Sequence, residues 1–165
     1  MPAGAETTYR SSGNLLYLLL THPDQLEAVR TDRSLLPQAI EEGLRYEPPL
    51  LTIGRTTTCE VEIGGVTLGP GEAVTTHLGS ANHDESRWDD AESFDIFRPA
   101  VPHIAFAHGP HMCLGMHLAR LETRVLLNRV LDRLPAMALD AGESDPHIRG
   151  DVFRSPTVLP VTFAA

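Results

Sequence analysis

The chain has 165 residues, 42% hydrophobic and 21% charged, which is ordinary for one globular domain with its own core. A formal net charge of -9 argues against nucleic-acid binding, because domains that bind nucleic acid are usually basic. Two cysteines, Cys59 and Cys113, are too few for a disulfide scaffold and favour a reducing compartment. The longest apolar run, Leu15–Leu20, is too short to span a bilayer, and the start of the chain lacks a signal-peptide pattern. We therefore expect a cytoplasmic protein without a membrane segment.

Three helices are predicted in the first third of the chain. The run Leu15–Leu20 indicates a buried helix, and Pro23 fits the first turn of a second helix over about Asp24–Thr31. Ser34 is predicted to cap the third helix, which ends before Pro48. One apolar stripe follows the third helix at every fourth residue: Leu36, Ile40 and Leu44.

Strands and turns are predicted between residues 51 and 78. Apolar residues alternate on both sides of Gly64-Gly65, which is the pattern of a two-residue hairpin. A second turn at Gly69-Pro70-Gly71 leads to another strand over Ala73–Leu78. The acidic stretch that follows is irregular, with a short helix near Glu85–Asp89.

A long amphipathic helix is predicted after a loop over His103–Met112, and it ends at about Arg133. Its apolar positions are Leu114, Leu118, Leu121 and Val125. The tail, Ile148–Phe163, has the pattern of a hairpin interrupted by prolines. Helices, small sheets, one helix and a hairpin in that order predict an α+β fold, mainly helical with small antiparallel sheets.

The segment around Cys113 carries the strongest chemical signal. Cys113 is predicted at the N-terminal end of the long helix, where free backbone N–H groups and the helix dipole favour a thiolate. A thiolate is a soft axial ligand for iron. Gly109-Pro110 can turn the chain sharply, and Gly115 leaves space beside the cysteine for a flat macrocycle.

Two other interpretations of Cys113 stay open at this point. Free cysteines are among the most buried residues, so Cys113 could be a core thiol. It could also bind zinc with nearby imidazoles, although no paired C-x-x-C or H-x-x-x-H element is present. The histidines close to it in sequence are His103, His108, His111 and His117.

This segment resembles the haem-binding signature of cytochromes P450, F-x-x-G-x-H-x-C-x-G. The matching residues are Phe106, Gly109, His111, Cys113 and Gly115. The resemblance implies haem b (iron protoporphyrin IX) with Cys113 as the iron ligand, Phe106 packed beside the sulfur and His111 at a propionate. It also places Leu114 and Ala119 at the haem. Bacterial members usually have Gly where Ala107 stands, and a Cβ there crowds a tight turn.

Further motifs occur in the order that the family has. Glu42-Gly43-Leu44-Arg45 resembles its E-x-x-R helix, and Arg98 matches the arginine that completes that ion-pair network. Taken alone, Glu42 and Arg45 are more typical of a solvated surface pair. Arg55 matches the position of a propionate-binding arginine, and Gly79–Asp84 resembles the A-N-R-D turn with His83 in place of Arg.

The beginning of the chain, Ala3–Thr7, resembles the oxygen-activation motif of the family's long central helix. The resemblance implies that Glu6 and Thr7 relay protons toward the dioxygen site. Without the cysteine segment, Glu6-Thr7-Thr8 would instead be interpreted as a helix-start capping sequence.

The resemblance covers the chain as one partial cytochrome P450 domain, residues 1–165, from the oxygen-activation helix through the C-terminal hairpin. This is the C-terminal part of the fold, roughly two-fifths of it, and is incomplete. It implies a bacterial-type monooxygenase that uses dioxygen, a ferredoxin or similar electron donor with its reductase, and a hydrophobic small-molecule substrate. Leu50–Gly54 and Ser155-Pro156 resemble its pocket-lining positions. The alternatives are an inactive remnant or interaction module, and a zinc-binding module.

Overall fold

The computed structural model describes residues 2–140, 142 and 145–164, so the ends of the predicted domain, Met1 and Ala165, lie outside the described residues. Within these residues the helices are α1 (Pro2–Thr21), α2 (Pro23–Thr31), α3 (Leu36–Tyr46), α4 (Leu78–Ala81) and α5 (Met116–Arg133). Two short 3-10 turns, at Arg33–Leu35 and Gly109–His111, precede α3 and α5. No helix in this part of the chain has both the length and the apolar character needed to cross a bilayer.

The strands form four separate antiparallel pairs rather than one sheet. They are β1 (Thr52–Thr56), β2 (Val61–Ile63), β3 (Val66–Leu68), β4 (Ala73–His77), β5 (Ala138–Leu139), β6 (Ile148–Arg149), β7 (Ser155–Pro156) and β8 (Val161–Thr162). β1 pairs with β4, β2 with β3, β5 with β8 and β6 with β7. The prediction of a mainly helical α+β fold with small antiparallel sheets is confirmed.

The core lies where α1 packs against α3 and α5. Leu19, Leu36 and Leu127 come from these three helices and are fully buried. Gly43 lets α3 approach α1 closely, because a Cβ at this position would lie 3.0 Å from Leu15 Cδ1. Burying such aliphatic side chains contributes about 1.5–3 kcal/mol each. This packing fixes α1 and α5, the two helices that flank Cys113.

Several local predictions are wrong, and the turns explain why. Ser34 does not cap α3; Asp32 accepts a hydrogen bond from the Ser34 N–H and caps the preceding 3-10 turn. No helix forms over Glu85–Asp89, where the Asp84 carbonyl closes turns with the amides of Arg87 and Trp88. The predicted tail hairpin is divided, since β8 pairs with β5 instead of β6.

The predicted apolar stripe of α5 does not face the core. Leu114 is 99% exposed, Leu118 58% and Val125 52%, and Leu121 is exposed as well. The buried side chains of α5 are instead Thr123, Leu127 and Leu131. Periodicity identified the helix correctly but not its packed face, because α5 is apolar on two sides. The second apolar face is open in this chain.

Candidate haem site

A cavity of about 490 Å³ lies between α1, the loop before α5, and α5 itself. Its walls are mainly apolar. The predicted site residues that line it are Glu6, Thr7, Phe106, His111, Cys113, Gly115 and Ala119. Leu50, Ile53 and Phe153 close one side. Residues more than one hundred positions apart in sequence therefore meet around one space, whose volume falls in the usual range for ligand pockets of about 300–1,000 Å³.

The loop before α5 presents the cysteine to this cavity. The N–H of Cys113 donates to the Phe106 carbonyl at 2.9 Å, which closes the loop across the 3-10 turn. Gly109 has φ +83° and Ala107 has φ +60°, both in the left-handed region. Glycine adopts such angles freely, whereas for alanine they cost about 1–2 kcal/mol. Ala107 therefore adopts the same turn as a glycine would, but in a strained backbone conformation.

The Cys113 side chain is exposed, as is that of Cys59. The interpretation of Cys113 as a core thiol is wrong. α5 begins at Met116, so Cys113 lies three residues before the helix and not within it. Gly115 is the N-cap of α5, and a Cβ at that position would lie 4.0 Å from the Cys113 sulfur. The absence of a side chain there leaves the approach to the sulfur open.

A cluster that the sequence analysis missed lies behind the cysteine loop. Arg120 on α5 donates two hydrogen bonds to the Glu41 carboxylate, at 2.6 and 2.7 Å, and its guanidinium lies 4.6 Å from the centre of the Phe106 ring. His103 Nε2 lies 3.2 Å from Glu41 Oε2. Burial alone would raise the pKa of Glu41, but hydrogen bonds from His103 and Arg120 outweigh it and lower the pKa to about 2. Glu41 and Arg120 are 79 positions apart, so no local sequence pattern could predict their pairing.

The predicted ion-pair network is present and buried. Arg45 donates to both oxygens of Glu42 at 2.8 Å, and Arg98 Nε lies 3.3 Å from Glu42 Oε1. The Arg45 side chain is 1% exposed and that of Glu42 5%. The interpretation of Glu42 and Arg45 as a solvated surface pair is therefore wrong.

The remaining donors of this network reach backbone carbonyls. Arg45 donates to the carbonyls of Asn82, Ala91 and Ser93, so its buried charge has no unmet hydrogen bond. Arg98 donates to the carbonyls of Asp89, Asp90 and Ser93. The two arginines thus fix the irregular segment that follows α4.

On the opposite wall, Glu6 and Thr7 belong to the first turns of α1. Since α1 begins at Pro2, the interpretation of Glu6-Thr7-Thr8 as a capping sequence is wrong. The Glu6 carboxylate is paired with Arg10 at 2.9 Å, one helical turn further along. An acid, an alcohol and a thiol therefore face one cavity from two sides.

Three predicted residues are not among those that line the cavity: Arg55, Gly109 and Leu114. Arg55 is exposed on β1, and its Nη1 donates to the neighbouring Gly54 carbonyl. Gly109 shapes the loop, and the Leu114 side chain points to solvent. Zinc binding finds no support, since the described residues contain no group of three or more His, Cys, Asp or Glu that could hold a metal ion.

The residues around the cavity fit haem on the side of the sulfur. Cys113 is accessible at the cavity and could supply a soft ligand, the walls suit a mainly apolar macrocycle, and no side chain stands at Gly115. His111 lies at the cavity, where its ring could donate to a carboxylate.

Comparison with known proteins identifies the family. The family model for cytochrome P450 matches residues 1–148. The chain is 45% identical to cytochrome P450 107B1 of Saccharopolyspora erythraea over 161 residues, which are 96% of this chain and 40% of that protein. It is 42% identical to the biotin biosynthesis cytochrome P450 of Bacillus subtilis, covering 98% of this chain and 40% of that protein.

Solved structures agree with this result. The chain matches P450BioI, crystallised with a hexadec-9Z-enoic acid-ligated acyl carrier protein, with a TM-score of 0.91 and 41% identity, covering 98% of this chain and 42% of that one. It matches CYP109E1 of Bacillus megaterium in complex with testosterone with a TM-score of 0.93 and 33% identity, covering 98% and 45%. The chain belongs to the cytochrome P450 family, whose members bind haem, and it spans about two-fifths of the curated relatives it matches.

Proposed function

We propose that this chain is the thiolate-bearing C-terminal part of a haem-thiolate monooxygenase. The complete enzyme would insert one atom of dioxygen into an organic substrate and reduce the other atom to water. The observation that carries this proposal is the single cavity that Cys113 shares with Glu6 and Thr7, within a chain that belongs to the cytochrome P450 family. Residues 1–165 would form one partial domain.

Haem b would be held from the α5 side. Cys113 would ligate the iron, with Phe106 packed beside the sulfur and Gly115 and Ala119 leaving room for the ring. His111, and Arg55 after a change of rotamer, would pair with propionates. Bound haem would supply a redox-active iron, and a thiolate ligand such as Cys113 would favour cleavage of the O–O bond. Arg120 and Glu41 support this half of the site by fixing Phe106 against α5.

Glu6 and Thr7 would serve the other half of the site. A carboxylate can pass protons through a hydroxyl or an ordered water when donor and acceptor lie within hydrogen-bond reach. Both residues line the cavity from the first turns of α1. Their place on a packed helix supports a fixed geometry, which proton transfer requires.

The substrate would be a hydrophobic small molecule. The apolar walls support this assignment, with Leu44, Leu50 and Ile53 among them. A neighbouring structure, that of CYP109E1, holds testosterone, and that of P450BioI has a fatty acyl carrier protein partner. Electrons would come from a ferredoxin or similar donor with its reductase. The two unpaired cysteines support a reducing compartment, and we therefore place the complete protein in the cytoplasm.

The open face of α5 favours an alternative for the chain on its own. With Leu118, Leu121 and Val125 exposed, the 165 residues would form half a haem pocket and act as an inactive remnant or interaction module.

The absorption spectrum of the complete haem-loaded protein, reduced and exposed to carbon monoxide, tests the proposal. A strongly red-shifted Soret band is expected from thiolate ligation. Cys113→Ala should abolish this band, whereas Cys59→Ala should leave it unchanged, since Cys59 lies outside the cavity. A band that survives Cys113→Ala would overturn the assignment.

A further inference from the structure

Arg10 connects the proposed proton relay to the C-terminal hairpin. Its guanidinium donates to Glu6 Oε1 from Nη2 at 2.9 Å and from Nε at 3.3 Å. The remaining terminal nitrogen, Nη1, donates to Ser155 Oγ at 2.8 Å. One side chain thus bridges α1 and β7, which are 145 positions apart in sequence.

This bridge differs from an ordinary ion pair along a helix. Exposed i,i+4 pairs hold their side chains loosely and contribute little to stability. Here the Ser155 partner is buried, and the guanidinium also lies 5.8 Å from the centre of the Phe153 ring, a wall of the cavity. The next turn of α1 contacts the same segment, because buried Asn14 donates to the Arg154 carbonyl at 3.2 Å. Arg10 is therefore fixed from three sides.

We propose that Arg10 is a positioning residue for oxygen activation: it holds the Glu6 carboxylate at the cavity wall and anchors it to the hairpin through Ser155. This inference rests on the proposed function, since it assigns Arg10 a role in that proton relay. A guanidinium can bind a carboxylate and a hydroxyl at the same time because its donors form a planar fork. An ammonium in the same place could bind Glu6 but would not keep both bonds in this geometry.

The position of the Glu6 carboxylate should affect which product dioxygen gives. With ferredoxin as electron donor and no organic substrate, one dioxygen takes either four electrons and four protons to give two waters, or two electrons and two protons to give hydrogen peroxide. The first outcome breaks the O–O bond and needs protons delivered at the right place. A displaced Glu6 carboxylate therefore shifts the outcome toward hydrogen peroxide.

The bridge itself can be tested without haem. In NMR spectra of the 165-residue chain, the Nε–H resonance of Arg10 should shift in Glu6→Gln and in Ser155→Ala. The Nε–H of Arg30, which pairs with Glu27 on α2, is the matched control and should not move. An Arg10 resonance that responds to neither substitution would overturn the proposal.

The functional test uses the complete haem-loaded protein with ferredoxin, its reductase and dioxygen alone. The ratio of water-forming to peroxide-forming turnover should fall on the order of tenfold in Arg10→Gln, a modest share of what a positioned proton donor contributes. Glu6→Gln should lower it at least as much, the double variant no further, and Arg10→Lys should restore part of it. Arg30→Gln should have no effect.

The outcomes separate this inference from the proposed function. If the reduced carbon monoxide complex has the thiolate spectrum in both wild type and Arg10→Gln, while the ratio is unchanged, Arg10 has no positioning role and the monooxygenase proposal stands. If wild type lacks the thiolate spectrum, the proposed function fails and the role of Arg10 fails with it.

Discussion

Two regions of the molecule differ in burial: the ion-pair network at Glu42 and Arg45, and the face of α5 beside Cys113. Glu42 is paired with both Arg45 and Arg98, and the Arg45 side chain is 1% exposed. Around Cys113, the adjacent face of α5 carries exposed apolar side chains, with Leu118 58% and Val125 52% exposed. The first region is a closed interior, and the second is an exposed apolar surface. The contacts that fix the segment after α4 are therefore buried, whereas the face of α5 beside the cysteine loop is exposed.

Disrupting the buried network of Glu42 and Arg45 should have the largest effect on the free energy of unfolding. Arg45→Met leaves the Glu42 carboxylate buried with only Arg98 as its charged partner. We expect a loss of about 3–5 kcal/mol in the free energy of unfolding, measured by urea denaturation. Arg30→Met, which removes a pair with the exposed Glu27 carboxylate, is the control and should cost less than about 1 kcal/mol. Equal losses in the two variants would mean that the network does not stabilise the fold.

Substitutions on the buried and the exposed face of α5 should differ in their effect on stability. Leu127→Ala removes a fully buried side chain and should cost about 2–5 kcal/mol, whereas Leu118→Ala should change stability by less than about 0.5 kcal/mol. Thermal unfolding of the 165-residue chain measures both. A large loss from Leu118→Ala would show that the exposed face is covered in solution.

Acid should weaken the cluster behind the cysteine loop. The folded-state pKa of Glu41 is lowered from 4.5 to about 2, so the unfolded chain binds more protons between these values. Its contribution is therefore present above pH 4.5 and is lost as pH falls toward 2. Since Glu41 is partly exposed, we expect about 1 kcal/mol after solvent screening. Glu41→Gln should lack this component of the pH dependence, and an unchanged profile would contradict the pairing with Arg120.

The smallest expected effect concerns the strained turn beside Cys113. Ala107→Gly should stabilise the chain by about 0.5–1 kcal/mol, because relief of the left-handed strain exceeds the entropy that glycine adds to the unfolded state. In contrast, Ala28→Gly within α2 should destabilise it by about 1 kcal/mol. Denaturant midpoints of the two variants measured together would reveal the opposite signs, and a loss of stability in both would contradict the account of the turn.

The sequence predicts the local elements better than the contacts between them. Gly64-Gly65 and Pro23 mark the first hairpin and the start of α2 correctly, because turn geometry and proline act within a few residues. The signature around Cys113 predicts the residues that meet at the cavity, including His111 and Gly115.

The contacts that the sequence could not predict join residues that are far apart along the chain. The pairings of Arg120 with Glu41 and of Arg10 with Ser155 join distant positions that carry no shared pattern. The face of α5 that is buried depends on which neighbours are present, and periodicity alone does not encode them. The cap at Asp32 was missed because Asp32 and Ser34 are both good capping residues, two positions apart.

Hydrogen exchange of the 165-residue chain, with and without added haem, shows whether the cysteine loop receives haem while α3 forms a stable interior. Without haem, amides of α3 should exchange slowly and those of the loop over residues 106–115 rapidly, because α3 lies in the packed core and the loop does not. Adding haem should slow exchange over residues 106–115 in wild type but not in Cys113→Ala, and should leave α3 unchanged. If haem leaves exchange over residues 106–115 unaltered, the loop does not receive haem. If α3 amides exchange as fast as this loop, α3 is not a stable interior.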